Sequence, residues 1–289
     1  MENLKASLCS LLQEIQQHRN SKAMVLAVSN MDMELLPQLY NQLQSMEKCD
    51  KLDVILHGRG GLVNAARRIA LLLRKYCNSL TFIVPYYCES ATTLLALSGD
   101  QIIAGDMAIF TPIDPQLHGG SGDDANTLSS LDIMHFPKMS QEWFNLSTKS
   151  AGEEALVALC NSIFPPTLTA FYRTTEEVKS IALELLHLHM GPEKFELSNQ
   201  IVDKLLTGYY SHHYAVTAEE LALMGLNCIN QQTVTDIAWQ ISEMLQNTVG
   251  GNLRSSHDEP WFDSLIASES TVAIRLQNAE GFKPQWDIL

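Results

Sequence analysis

"LDVILHGRGGLVNAARRIALLLRKYCNSLTFIVPYYCESATTLLALSGDQII", Leu52 to Ile103, changes its hydrophobic pattern four times. "LDVILH" (Leu52–His57) and "LTFIVP" (Leu80–Pro85) are short apolar runs of strand length. Between them Leu62–Tyr76 has helical spacing, with Arg67, Arg68, Arg74 and Lys75 on its outer face. A second helix of small and apolar residues opens at Ser90, and "QIIAG" returns to strand. Continuously apolar strands that alternate with helices imply a mostly parallel sheet covered on both faces.

The same alternation extends outward. Leu4–Gln17 has the spacing of an amphipathic helix, Ala23–Ser29 of a buried strand and Met33–Met46 of a helix; "AIFTPID" adds a short strand. "HGGSGDDANT" (His118–Thr127) is a polar, glycine-rich loop, and Glu153–Ile163 and Glu176–His189 are helical. From Leu197 to Ile229 the pattern gives helix, turn, helix and short strand, before a last helix over Thr233–Gln246. Beyond Gly250 the periodicity is lost. The expected organisation is one α/β domain over 1–249 and a C-terminal extension, an arm or partner-contact segment, over 250–289.

The 289 residues suffice for a sizeable core. A formal net charge of -14 argues against an extended nucleic-acid footprint, and the arginine-rich helix face is expected to be solvated. Six cysteines stand without CxxC pairs, so neither metal-ligand spacing nor a disulfide framework is indicated. Met1–Arg19 lacks a signal-peptide core, and no stretch approaches the ~20 apolar residues of a membrane span. A cytoplasmic protein without a membrane span is expected.

Two strand ends carry the candidate chemistry. Ser90 stands where a strand turns into a helix, and its hydroxyl could simply cap that helix. It could instead be a nucleophile. The Ala91 amide lies at the helix N-terminus, where the dipole favours negative charge. Gly60 and Gly61 lack side chains, so their amides can approach a ligand closely. Together the Gly61 and Ala91 amides would form an oxyanion hole for an acyl group attacked by Ser90. A phosphate loop is not indicated, because neither GxGxxG spacing nor a following Gly-Lys is present.

"LDVILHGRGGLVNAARRIA", "VPYYCESATTLLALSGDQII", "TPIDPQL" and "LLTGYYSHHYAVTAEELALMGL" resemble, in this order, blocks of the serine dehydrogenase proteinase family. That family is similar to the Clp protease proteolytic subunit, signal peptide peptidase A and the crotonases. The resemblance is good over Leu52–Leu117 and Ile201–Leu226, poor over Gly119–Gln200 and absent after about Gly250. It implies a Clp protease/crotonase-like fold, a cytoplasmic homo-oligomer, and a serine peptidase that needs no metal or other cofactor. It makes Ser90 the nucleophile, with Gly60, Gly61 and Ala91 at the oxyanion hole. His57 and His212 fall on family histidines and are read as structural.

The Clp histidine has no counterpart in "AIFTPIDPQ", so a Ser-Lys pair is expected. "TLSSLDIMHFPK" resembles a family segment ending on lysine and puts Lys138 forward as base, with Lys149 second and His118 and His135 competing. The base must be neutral near working pH, which for a lysine requires burial. Three departures stand out: Arg59 in place of a proline, Glu89 beside the nucleophile, and a bulky Thr92. They keep open a second reading, a catalytically weakened scaffold acting through protein partners. Crotonase-like acyl-thioester chemistry is a third, and it would need a coenzyme A pocket and glutamates at the site.

Overall fold

The structure, a computed structural model, describes residues 2–119, 126–145, 148–250, 260–277 and 285–289. Its first half alternates α1 (Glu2–Arg19), β1 (Lys22–Val28), α2 (Leu35–Met46), β2 (Cys49–Gly58), α3 (Val63–Leu73), β3 (Cys77–Val84), β4 (Tyr87–Cys88), α4 (Ala91–Ala96), β5 (Gln101–Ala104) and β6 (Ile109–Phe110). A hairpin of β7 (Gln116–Gly119) and β8 (Asn126–Ser129) follows, so only part of the expected 118–127 loop lies among the described residues. Then come α5 (Ser130–Phe144), α6 (Thr148–Ser162), α7 (Pro165–His187), α8 (Phe195–Thr207), α9 (Ala218–Leu223), β9 (Cys228–Ile229) and α10 (Gln232–Thr248). The chain ends in β10 (Trp261–Ala267), β11 (Val272–Gln277) and β12 (Gln285–Ile288).

One sheet organises the molecule, in the order β12-β11-β10-β1-β2-β3-β5-β9. From β1 to β9 every pairing is parallel, whereas β10, β11 and β12 run antiparallel. The central strands are apolar on both faces because both are covered. Met24, Leu26 and Val28 of β1 join one core with α2, α3, α7 and α8. Ala23, Val25 and Ala27 join another with α1 and α10. This is the expected α/β sheet with flanking helices.

The C-terminal stretch is where the expectation of an arm fails. β10, β11 and β12 extend the main sheet, with Val25 paired to Ala267 and Val28 to Ser264. The apolar run of β10 is interrupted by Asp263 and Ser264 and that of β11 by Arg275, which hides the strand pattern in sequence. All three are buried and satisfied: Arg275 donates to both carboxylate oxygens of Asp263 at 2.7 and 2.9 Å. Ser264 Oγ donates to the same carboxylate at 3.0 Å.

Candidate active site

β2 is long enough to outrun β3, and its last residue, Gly58, pairs in parallel with Cys88 of β4. Two residues beyond that pair stand Gly60 on one strand end and Ser90 on the other. They touch: a Cβ on Gly60 would lie 2.9 Å from Ser90 Cβ and 3.3 Å from Ser90 Oγ. Gly60 adopts φ 109°, open to glycine and strained for other residues, and its N–H donates to Thr92 Oγ1 at 3.1 Å. Gly61, at φ 133°, is packed on Met31, whose backbone nitrogen would be 2.3 Å from an added Cβ. Met31 N–H donates to the Gly60 carbonyl and Leu62 N–H to the Met31 carbonyl, both at 2.8 Å.

Ser90 has φ 53° and ψ -119°, a region that L-residues avoid. Such a conformation costs about 1–3 kcal/mol and persists only where neighbours over-determine it. Those neighbours are Thr111 and Thr93. Thr111 Oγ1 accepts from Ser90 N–H at 2.7 Å; Thr93 Oγ1 donates to the Cys88 carbonyl at 2.6 Å and accepts from Thr111 N–H at 3.1 Å. The Ser90 hydroxyl makes no capping bond to α4, which removes the simple helix-cap reading. A serine held in a sharp strand-to-helix turn with a free hydroxyl has the geometry of a nucleophile elbow. Among the described residues, neither the Gly61 nor the Ala91 N–H donates to a protein acceptor.

Three residues past Thr111, Asp114 is fully buried, and its carboxylate meets His212 Nδ1 at 2.8 Å. Asp114 also accepts from Ser129 Oγ at 2.6 Å and Gln116 Nε2 at 2.9 Å. Burial pushes its pKa up, but the hydrogen bonds from His212, Ser129 and Gln116 outweigh this and hold it below the usual aspartate value. The aspartate therefore stays ionised and fixes the imidazole, whose ring is only partly exposed. The backbone closes the arrangement: Phe110, beside Thr111, exchanges hydrogen bonds with Val216, four residues beyond His212.

Lys138, His135 and His57, singled out from sequence, make their contacts with other residues. Lys138 is on α5 with its side chain 56% exposed, 3.8 Å from Glu142 and 5.8 Å over the Tyr210 ring; it makes no contact with Ser90. The His135 ring lies 5.4 Å from that of Tyr210, tilted by 42°. His57 is buried and edge-on to Tyr87 at 5.7 Å, and its Nδ1 has no hydrogen-bond partner among the described residues. Burial, reinforced by the Arg59 charge, lowers its pKa to about 4, so it is neutral at physiological pH. The side chains of His118 and Lys149 lie outside the described residues.

The departures noted in sequence compensate one another. Arg59 and Glu89 approach to 3.7 Å, and the Arg59 guanidinium lies 3.9 Å over the Tyr87 ring. Thr92 is bulky because its hydroxyl accepts the Gly60 amide. Sequence reasoning passed over Asp114, although it stands in the quoted block "TPIDPQL"; an acid inside an apolar run was the available signal. It also left His212 as structural, since its partner lies 98 residues away.

Residues 11–129 match the model of the ClpP-like SDH-type serine proteinases. Two uncharacterized proteins of Methanocaldococcus jannaschii are similar to the chain. One is 27% identical over 195 residues, covering 68% of this chain and 56% of that protein. The other is 26% identical over 190 residues, covering 66% and 57%. The chain thus spans just over half the length of these curated relatives. Among solved structures, a mutant of the membrane-bound stomatin-specific protease 1510-N is 16% identical at a TM-score of 0.31, covering 46% of this chain and 69% of that one. An enoyl-CoA hydratase from Polaromonas sp. JS666 is 12% identical at a TM-score of 0.35, covering 79% and 76%. Among the described residues, no single helix is long and apolar enough to cross a membrane.

Proposed function

We propose that this chain, whose residues 11–129 match the ClpP-like SDH-type serine proteinases, is a serine peptidase with Ser90 as nucleophile and His212 as its base. The observation that carries the reading is the strained, uncapped Ser90 one hydrogen bond away from the segment that holds the buried Asp114–His212 pair. In the reaction Ser90 Oγ bonds to the peptide carbonyl carbon while its proton passes to His212 Nε2. Asp114 holds the ring through Nδ1 and stabilises the imidazolium. The carbonyl oxygen, now negative, takes the free Gly61 and Ala91 amides. His212 then protonates the departing amine as the C–N bond breaks, and a water activated by the same imidazole releases the acyl group from Ser90.

Lys138 is the competing base. It would have to leave Glu142, lose water and reach Ser90 before it could accept a proton. Cleavage of an unstructured protein such as casein separates the two assignments. His212→Ala should slow it roughly 10⁴-fold or more, as loss of a triad histidine does. Lys138→Met should stay within a few-fold of the native rate. The reverse pattern would replace the histidine by a Ser-Lys dyad and leave the peptidase reading standing. No cleavage and no Ser90 acylation in the native chain would favour the scaffold reading instead.

A further inference from the structure

The basic face of α3 is not uniformly solvated. Arg67 donates to both carboxylate oxygens of Glu184 on α7, and Arg74 pairs with Asp100 at 2.7 Å. Arg68 and Lys75, on the same helix or just past its end, have no ion-pair partner among the described residues, and neither has Lys48. These three free cations line one groove between α2 and α3, with a volume of about 940 Å³. Its floor is apolar and aromatic: Leu36, Pro37, Tyr40, Leu72 and Tyr76, the two tyrosine rings edge-to-face at 6.5 Å. No carboxylate lines it.

A chain of net charge -14 has thus gathered three unneutralised cations around one greasy trough. At physiological ionic strength charges are screened within about 8–10 Å, so a docking segment meets these three cations, with Glu34 and Glu47 at the groove's ends beside Met33 and Lys48, and not the acids elsewhere on the molecule. A second copy is a poor occupant, because a two-fold contact sets each patch against itself and would oppose cation to cation. An extended polyanion is disfavoured by the overall charge and gains nothing from the apolar floor. We infer that the α2–α3 groove docks an acidic segment of a partner protein that carries an aromatic or aliphatic anchor. The groove includes Met33, two residues past the Met31 that pairs with Gly61. The inference does not depend on the peptidase reading.

Fluorescence anisotropy on the full chain tests it. The probe is a short fluorescein-labelled peptide in which Asp and Glu alternate with Phe and Leu, compared with its Lys-for-Asp/Glu counterpart. The acidic peptide should bind saturably, its affinity should fall with added salt, and Arg68→Glu with Lys75→Glu should weaken it tenfold or more. Both residues are exposed, so the pair leaves the fold intact. Tyr40→Ser should also weaken the acidic peptide by removing the anchor's seat. Equal binding of the two peptides, or an affinity unmoved by the double charge reversal, would overturn the inference. So would sedimentation showing a dimer that the double reversal dissociates, since the groove would then belong to a second copy.

Discussion

Ser90 is the residue whose local cost has no structural return. Its backbone is strained, its hydroxyl caps nothing, and three hydrogen bonds linking Ser90, Thr111, Thr93 and Cys88 keep it there. Strain of this kind is retained where function uses it. Ser90→Gly should therefore abolish cleavage while raising stability by about 1 kcal/mol, the relief of a positive φ less the added chain entropy of glycine. Calorimetry on the two proteins checks it; a lower Tm for the glycine variant would contradict the strain account. His57 makes a second prediction at this scale. Its pKa of about 4 in the fold lies below the ordinary 6.5, so the unfolded chain binds the extra proton first. The stability it contributes is complete above about pH 6.5 and is lost as pH falls towards 4. The loss is at most about 3 kcal/mol. His57→Gln should flatten the decline of Tm across that window; an unchanged slope would show that His57 is not its source.

The element that sequence reading misplaced is the terminal β10–β12 sheet. Its polar residues interrupt the alternation that marks a strand, yet they form one buried network. Arg275 grips Asp263 and reaches Asp32 at 2.8 Å, and Asp32 adjoins the Met31 on which Gly61 is packed. Ser29 N–H and Oγ both donate to the Asp263 carbonyl, at 2.8 and 3.0 Å. The last strands thus brace the glycine loop beside Ser90. Arg275→Met would strand a buried carboxylate and should cost about 3–5 kcal/mol. Asp32→Asn weakens the link to a neutral hydrogen bond without stranding a buried charge. It should leave Tm nearly unchanged but lower kcat more than it changes KM, because the Gly61 amide is then less well placed. An Asp32→Asn enzyme with native kcat would reduce the network to a purely structural role. A chain cut after Val249 would bare the edge of β1 and should aggregate.

Across the whole molecule, what was legible followed the length scale of the signal. Strands β1, β2 and β3 and their helices were readable because burial on both faces writes continuous apolar runs into adjacent residues. The turn at Ser90 and the glycine pair were readable for the same reason, each lying at the end of such a run. The Asp114–His212 pair was not. It is assembled by the Phe110–Val216 bridge between segments about a hundred residues apart; Asp114 gives a local signal as an acid in an apolar run, but nothing local names His212 as its partner. Lys138 stood forward in its place because a linear motif carries no information on whether a side chain turns inward. Arg68 and Arg67 are adjacent in sequence, yet one lines an open groove and the other is spent on Glu184; only the packing of α3 against α7 separates them.

The central claim is that Ser90 is an activated nucleophile. Treating the native chain with a fluorophosphonate probe and mapping the adduct by peptide mass spectrometry tests it most directly. The account predicts a single phosphonylated residue, Ser90, absent from Ser90→Ala and formed far more slowly in His212→Ala. An adduct on another residue, or a native chain that takes up no probe while remaining folded, would contradict it.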